Sequence, residues 1–348
     1  MIKKIARYIG EYKKDTILTP IYVILEVIME IIIPFLMSRL IDIGVGKGNM
    51  NYVYRCGLFM ILAAFLALIF GVLSGKYAAK ASAGFSKNLR QAMYYNIQEY
   101  SFANMDKYAT SGLITRLTTD VTNVQNAFQM IIRVAVRAPI MLLSALIMSF
   151  YINSKLALIF LGAILFLGFA FYFIITHAHR YFVIVFQKYD DLNASVQENL
   201  TGIRFVKAYV REDHEIKKFM KASEVVYQYF LKALRFTVFN GPVMQFTMYT
   251  SMILLSWFGA KQIVSASMST GELMTLFTYA SNILISLMIL SMVFVMIILA
   301  KPATERIVEV LDEKSDITNK ENPVYEVKDG SIIFDHVNFS YSGKEDNL

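Results

Sequence analysis

The sequence has very few residues of the types that cross-link small folds or bind metals. It contains one cysteine, Cys56, and four histidines among 348 residues. A single cysteine excludes a disulfide framework within the chain and a cysteine-based metal site. His177 and His179 are two positions apart, so they point in different directions on a helix and form a poor metal pair. No metal site is therefore predicted.

A phosphate-binding loop is also missing from the sequence. Such a loop needs glycines for close backbone approach, a lysine for the phosphates and a serine or threonine for Mg²⁺, in the order G-x-x-x-x-G-K-[ST]. The nearest match, residues 71–77, is one residue short and has Tyr77 where the serine or threonine is needed. We therefore predict that this chain alone does not hydrolyse nucleotides, and we assign no catalytic residue.

Charged residues are scarce, and apolar residues are abundant. Only 18% of the residues are charged and 56% are hydrophobic, which is too apolar for an ordinary soluble domain. A helix needs about 20 mainly apolar residues to cross a bilayer. Six such stretches lie near residues 16–44, 52–75, 128–152, 156–176, 237–264 and 272–300. The predicted fold class is an all-α polytopic membrane protein with six transmembrane helices.

The connections between these spans are of two kinds. Three are short and lie near residues 45–51, 153–155 and 265–271, whereas residues 76–127 and 177–236 form two long segments. The long segments carry six and ten Lys and Arg residues. Because basic segments stay on the cytoplasmic side, we predict that both long segments and both termini are cytoplasmic. The net charge of +7 then reflects topology and headgroup attraction, so no nucleic-acid partner is predicted.

The segments outside the bilayer are also predicted to be helical. Near the N-terminus, Ile5 and Ile9 share one stripe, which favours a short helix in the membrane interface over a frayed basic leader. Both long segments keep helical periodicity and contain one break, so each is predicted as a hairpin with its tip near 105–115 or 208–215. About 20 extra helical residues would project about 30 Å beyond the membrane. We therefore expect a partner to dock on the tips.

The C-terminal part of the sequence changes character after the last span. Pro323 lies in a polar linker, and apolar residues then alternate with polar ones from Ser331 to Tyr341, which predicts a half-buried strand. One strand cannot form a domain, so we expect it to be the first strand of a truncated soluble domain. The predicted organisation is an interfacial helix (1–14), a membrane domain (15–312), a linker (313–330) and the start of that soluble domain (331–348).

Three motifs at these positions resemble the ABC exporter half-transporters. Residues 111–121 (S-G-L-I-T-R-L-T-T-D-V) are similar to that family's first intracellular tip, and residues 198–209 (E-N-L-T-G-I-R-F-V-K-A-Y) are similar to the approach to its second. Residues 304–312 (T-E-R-I-V-E-V-L-D) resemble its exit from the sixth span. Within the family, residues 133–139 (R-V-A-V-R-A-P) look most like one subunit of the bacterial heterodimeric multidrug exporters.

The resemblance implies ATP-driven export of a small amphipathic substrate through a bacterial cytoplasmic membrane by alternating access. The partners it implies are a second half-transporter subunit, membrane lipids, and nucleotide-binding domains that bind ATP with Mg²⁺ and dock on the hairpin tips. It further implies that Tyr341 stacks on adenine, although this residue also fits as the last inward residue of an edge strand. The residues implied for coupling are Thr110, Ser111, Gly112, Leu113, Arg116, Ala208, Tyr209, Arg211 and Glu212.

Among the charged residues inside the predicted spans, four form two like-charge pairs, and charges there are costly and therefore informative. Glu26 and Glu30 are one turn apart on the first span, and Arg133 and Arg137 are one turn apart on the third. One interpretation is mutual neutralisation between neighbouring spans. The other is that Glu26 or Glu30 faces the transport cavity and attracts cationic cargo. The sequence leaves both open.

Two further alternatives concern the outer end of the first span and the function as a whole. Arg39 and Asp42 are expected to form a local pair or an external gate contact. A second class of function also fits the pattern, namely a non-transporting channel or sensor whose cytoplasmic hairpins bind a regulatory partner. The predicted strand and Tyr341 favour the exporter, but the substrate cannot be identified because a fold does not specify its cargo.

Overall fold

The computed structural model describes residues 2–317, 322–323, 325–326 and 329–337. Almost all of residues 2–312 are helical. The helices are α1 (Ile2–Ala6), α2 (Lys13–Arg39), α3 (Met50–Gln98), α4 (Phe102–Lys107), α5 (Thr110–Thr115), α6 (Val121–Ile152), α7 (Ser154–Thr201), α8 (Ile203–Ala208), α9 (Glu212–Val238), α10 (Asn240–Val264) and α11 (Thr270–Asp312). A 3₁₀ turn (Arg7–Tyr12) joins α1 to α2, and π-helical turns follow α2 (Leu40–Val45) and α5 (Arg116–Asp120). The prediction of an all-α fold is confirmed.

Five helical stretches of the described chain are long and apolar enough to cross a membrane. They are Lys4–Val45, Met50–Gln98, Thr110–Ile152, Ser154–Thr201 and Thr270–Asp312. Each contains one predicted span, so this is a multi-pass membrane protein. The predicted span 237–264 coincides with α10, which is not among these five stretches. The helix α10 packs along α7 and α11, as a sixth span would. The six-pass topology stays a prediction.

The connections on one side are as short as the sequence predicts. Only residues 46–49, Asn153 and 265–269 separate the helices there. On the other side, α3 and α7 continue far beyond a bilayer. They contain 49 and 48 residues, or about 70 Å at 1.5 Å per residue, whereas the hydrocarbon core is about 30 Å thick. Each therefore forms one arm of a long hairpin.

The two hairpins differ in how they are packed. The first hairpin is built into a hydrophobic core, in which Phe85, Leu89 and Met93 of α3 are fully buried against Ile307 and Val310 of α11. These three α3 residues are spaced by four and belong to the helical periodicity of segment 76–127. The arms of the second hairpin, α7 and α9, pack mainly on each other. Of the 27 residues of α9, two are buried, so most of this hairpin is exposed within the chain.

The N-terminal segment docks on α3. Ile5 is buried in the same core as the first hairpin, and Asn88 donates a hydrogen bond to the carbonyl oxygen of Tyr8 at 3.1 Å. The ring of Tyr12 covers Gly84, where a Cβ atom would lie only 2.3 Å from the ring. The predicted interfacial helix is thus a short helix and a 3₁₀ turn that are fixed to the first hairpin.

The C-terminal segment shows no regular structure where it is described. Residues 331–337 of the predicted strand contain no strand, and Ile333 is 85% exposed. A strand needs a neighbouring strand to pair with, and the described residues supply none. Tyr341 lies outside the described residues, so its stacking on adenine stays a prediction.

Hydrogen bonds join the outer halves of α2 and α11. The hydroxyl groups of Tyr279 and Thr275 donate to the carbonyl oxygens of Ile31 and Pro34, at 2.9 and 2.8 Å. Both donors are buried. Beyond these bonds, at the start of α11, the carboxylate of Asp42 accepts hydrogen bonds of 2.9 Å from the Gly271 N–H and 2.5 Å from the Ser269 hydroxyl.

The role of Asp42 differs from the sequence prediction. No ion pair within 4.0 Å joins Asp42 to Arg39 in the described chain, and Arg39 lies over the ring of Phe35 at 5.5 Å. The reason is that the first N–H groups of α11 lack helical partners and carry the positive end of the helix dipole. Asp42 accepts from the N–H of Gly271, and the Ser269 side chain accepts from the N–H of Glu272, so both residues cap α11.

Gly271→Ala should break this cap. A Cβ atom at Gly271 would lie 2.5 Å from the Ser38 carbonyl oxygen and 2.7 Å from an Asp42 carboxylate oxygen. We expect a loss of about 1–3 kcal/mol of stability, because the capping hydrogen bonds are lost in a buried place. Thermal unfolding of the full-length protein in detergent measures this. The control is Gly168→Ala on α7, where nothing lies within 4 Å; equal midpoints for the two variants would contradict the prediction.

Candidate functional site

Three of the four charges predicted inside the membrane lie in contact. Arg137 of α6 faces Glu26 and Glu30 of α2, whose spacing of four residues places both carboxylates on one helix face. Arg137 Nη2 lies 2.7 and 2.8 Å from the two carboxylate oxygens of Glu30, and Nη1 donates to Glu26. These charge-assisted hydrogen bonds connect α2 with α6. We call these three residues the charge cluster.

The two carboxylates of the charge cluster have different surroundings. Glu26 is 7% exposed, and its Oε2 lies 3.4 Å from the hydroxyl oxygen of Ser74 on α3. It also lies against Gly71, where a Cβ atom would be 3.2 Å from Oε1. The Glu30 side chain is 30% exposed and bonds only to Arg137 among the described residues. Glu26 is therefore enclosed and Glu30 is accessible.

The fourth predicted residue, Arg133, stands apart from the charge cluster. Its guanidinium group lies beside Gly75 of α3, where a Cβ atom would be 3.6 Å from Nη1. No carboxylate lies within 4.0 Å of Arg133 in the part of the chain that the structure describes. Arg133 therefore packs against α3 without an ion-pair partner in the described chain.

A cavity of about 360 Å³ opens beside Glu30 and Arg137, between α2, α6 and α11. Apart from these two charged residues, its polar lining comes from Thr278, Asn282 and Ser286 of α11. The apolar lining residues are Ile33, Pro34, Ala138, Met141, Ile285 and Ile289. Mostly apolar walls with a few convergent polar groups are typical of sites for small organic molecules.

The C-terminal end of α11 is capped by side chains of the first hairpin. Asn96 donates to the carbonyl oxygens of Val310 and Glu313 at 2.6 and 3.0 Å, and the hydroxyl of Tyr100 donates to that of Val310 at 2.8 Å. The last carbonyl groups of a helix have no partners within the helix, and these side chains supply them. Burial raises the pKa of Tyr100 to about 12, so its hydroxyl remains a donor into the alkaline range.

The hairpin also holds the residue that follows α11. The carboxylate of Glu313 accepts hydrogen bonds from Lys107, Tyr108 and Asn104, at 2.7, 2.9 and 2.9 Å. The bonds from Lys107 and Tyr108 lower the pKa of the Glu313 carboxyl below its ordinary value of 4.5. These bonds are therefore complete above that ordinary value and are lost as the pH falls through the lowered pKa. We call Asn96, Tyr100, Asn104, Lys107 and Tyr108 the hairpin clamp.

A second contact reinforces the hairpin clamp. Arg306 of α11 binds Asp120 through two hydrogen bonds of 2.8 and 2.6 Å, and Asp120 is 1% exposed. Arg116 donates to the carbonyl oxygen of Arg306 at 3.0 Å and forms an ion pair with Glu309 at 2.9 Å. Asp120 and Arg116 belong to the motif 111–121, and Arg306 and Glu309 belong to the motif 304–312. Two of the three motifs that carry the family resemblance therefore meet in one contact.

The first hairpin tip overlaps the predicted range 105–115. It contains α4 (Phe102–Lys107), which begins with a capping box between Ser101 and Asn104. The residues predicted for coupling lie on α5 and the turn that follows it, and they are Thr110, Ser111, Gly112, Leu113 and Arg116. The sequence prediction did not include α4, whose signal was the spacing of Ser101 and Asn104.

The second tip lies at the predicted position. Ala208 is the last residue of α8, Tyr209 and Arg211 are in the turn, and Glu212 begins α9. Large apolar side chains are exposed at both tips: Tyr209 is 76% exposed and Phe102 of α4 is 87% exposed. Exposed apolar groups at the ends of long, ordered hairpins are typical of a surface that binds another protein.

Several curated proteins are similar in sequence. An uncharacterized ABC transporter ATP-binding protein of Bacillus subtilis, YfiB, is 32% identical over 92% of this chain and 56% of its own length. An uncharacterized ABC transporter ATP-binding protein of Mycobacterium tuberculosis H37Rv is 26% identical over 99% of this chain and 60% of its own. A putative export ATP-binding/permease protein of Rickettsia bellii is 21% identical over 99% and 60%. The chain thus spans a little over half the length of these relatives.

The match to a family model covers most of the membrane bundle. The model describes the ABC transporter transmembrane region and matches residues 16–288, which is more than three quarters of the chain. The matched residues include both hairpins and the charge cluster. The observed helical bundle with its two long hairpins agrees with this match. The chain therefore belongs to the ABC transporter transmembrane region family.

Proposed function

We propose that this chain is the transmembrane subunit of an ATP-driven exporter. It moves amphipathic or hydrophobic compounds, drug-like or lipid, out of the cytoplasm or inner leaflet of a bacterial cytoplasmic membrane by alternating access. The observation that carries the proposal is the hairpin clamp, because it joins a cytoplasmic tip to the helix that lines the membrane cavity. Membership of a transporter family favours this function over a channel or sensor.

The proposed motor lies outside the described residues. Nucleotide-binding domains would bind ATP with Mg²⁺, and the free energy of nucleotide binding and hydrolysis would drive their motion. The relatives are named as ATP-binding proteins and are longer than this chain, which supports this arrangement. Tyr341 is proposed as an adenine contact, but no step below depends on it.

The chain's own residues would carry the motion to the membrane. A displacement of the first hairpin tip reaches the end of α11 directly, because the hairpin clamp and the Arg306–Asp120 pair join the first hairpin to α11. Since α11 is one helix from Thr270 to Asp312, the displacement continues along the cavity wall to the outer cap at Asp42. The tip of the first hairpin and the cavity wall would therefore move together.

The exposed second hairpin supports a dimer. Its arms pack mainly on each other, and its tip presents Phe205, Tyr209 and Val210 at 72%, 76% and 80% exposure. In a two-subunit assembly, a partner half-transporter would cover these surfaces. We therefore propose a dimer with a similar or identical subunit, whose nucleotide-binding domains contact both tips.

The paired variant Asn96→Leu with Tyr100→Phe tests the hairpin clamp. It removes the donors to the α11 carbonyl groups and keeps similar side-chain volumes. We expect several-fold less substrate transported per ATP hydrolysed, because each lost hydrogen bond costs about 1–3 kcal/mol when its partner stays buried. Proteoliposomes with the full-length transporter give both rates. The control is Tyr94→Phe, on the same helix and 53% exposed; an unchanged ratio in the paired variant would exclude the proposed route.

Phe102→Ala tests the tip helix. If Phe102 anchors a nucleotide-binding domain, its removal should lower ATP-driven transport at least tenfold, roughly the loss of a binding hot spot. Val264→Ala is the control, since Val264 is 89% exposed at the opposite end of the bundle. Ser111→Ala tests the coupling position predicted from the sequence. Impaired transport in Ser111→Ala with normal transport in Phe102→Ala would assign coupling to α5 and not to α4.

A further inference from the structure

The charge cluster contains one more carboxylate than guanidinium groups. Arg137 is shared between Glu26 and Glu30, and it donates to both. Among the described residues, no other cation lies within 4.0 Å of either carboxylate. Arg133 provides the next positive charge on the same face of α6, one turn away, but it lies beside Gly75. A second cation could therefore bind one carboxylate of the cluster while Arg137 stays paired with the other.

The two carboxylates would not be equally available to such a cation. Glu26 is enclosed by Arg137, Ser74 and the Gly71 surface, and it does not line the cavity. Glu30 lines the cavity, is partly exposed, and has Arg137 as its single hydrogen-bond partner in the described chain. If Glu30 exchanged Arg137 for another cation, Arg137 would still be neutralised by Glu26. Breaking a buried ion pair is costly mainly because it leaves a charge unpaired, and this exchange leaves none.

We propose that Glu30 is the selective carboxylate of a subsite for amphipathic organic cations, in which the ligand replaces Arg137 at Glu30 while Arg137 stays on Glu26. The proposal rests on the exporter function and names its substrate class. Arg137 acts as an internal competitor, so Glu30 is paired with it when the subsite holds no ligand. Anions would be repelled by the excess negative charge of the charge cluster, and neutral compounds would gain no affinity from Glu30.

The rest of the cavity lining suits the same ligand class. The hydroxyl groups of Thr278 and Ser286 donate to carbonyl oxygens of their own helix, at 3.3 and 2.7 Å. Their oxygen lone pairs therefore remain as acceptors toward a cationic ligand. The apolar walls would contact its hydrocarbon part. A volume of about 360 Å³ lies within the range of about 300–1,000 Å³ typical of small-molecule sites.

A matched pair of probes isolates the charge of the ligand. Methyltriphenylphosphonium is a cation, and triphenylphosphine oxide is a neutral molecule of nearly the same shape. Their binding is measured with the full-length protein in lipid nanodiscs, with empty nanodiscs subtracted. We expect Glu30→Gln to weaken cation binding at least tenfold, or about 1.4 kcal/mol, and to leave binding of the neutral probe unchanged. Equal binding of the cation to Glu30→Gln and the unaltered protein, or an equal loss of both probes, would overturn the proposal.

A second variant changes cation binding in the opposite direction. Arg137→Lys keeps a positive charge, but a lysine is a point charge that does not bridge two carboxylates as the planar guanidinium does. Glu30 is then freed, so cation affinity should rise while neutral binding stays the same. This variant also keeps the test decisive if Glu30→Gln fails to fold. A fall in cation affinity in Arg137→Lys would contradict internal competition.

The substrate class and the exporter function fail in different ways. ATP-driven uptake of each probe into inside-out vesicles is measured in parallel with binding. Transport of the neutral probe alone, equal in Glu30→Gln and the unaltered protein, would leave the exporter and reject the cation subsite. Glu30-dependent cation binding without ATP-driven transport of either probe would leave the subsite and reject the exporter.

Discussion

The unpaired backbone groups at the two ends of α11 are the constraint on which the rest of the structure depends. A helix cannot satisfy its first N–H groups or its last carbonyl groups by itself. In α11 side chains from other segments contribute to the caps at both ends: Asp42, which follows α2, accepts from Gly271 at one end, and Asn96 of α3 and Tyr100, which follows α3, donate at the other. The 43-residue helix is therefore fixed to the end of the first span and to the first hairpin at once.

The other features are arranged around this double attachment of α11. The membrane cavity lies along α11, and its opposite walls, α2 and α6, are joined by the charge cluster. The Arg306–Asp120 pair holds the C-terminal part of α11 against the return arm of the first hairpin. In the described chain, the second hairpin has no comparable attachment to these helices. The chain thus combines one firmly connected unit with one hairpin whose surface is open to a partner.

Local sequence patterns predicted the spans, the short connections and the two hairpins. Periodicity and length are local signals, so a single sequence is enough to find them. The C-terminal cap of α11 could not be predicted, because Asn96 and Val310 are 214 positions apart and no local pattern pairs them. The helix α4 was missed for a different reason, because the capping signal at Ser101 was overlooked.

The central claim is that the first hairpin and the end of α11 move as one unit during transport. Cysteines placed at Arg116 and Glu309, whose side chains lie 2.9 Å apart, in a protein whose Cys56 is replaced by serine, can be joined by a short bismaleimide, and ATP-driven transport is then measured in proteoliposomes. The account predicts that the cross-linked transporter works as well as either single-cysteine variant treated in the same way. Loss of transport in the cross-linked protein alone would mean that the hairpin and α11 must separate during the cycle, which contradicts the account.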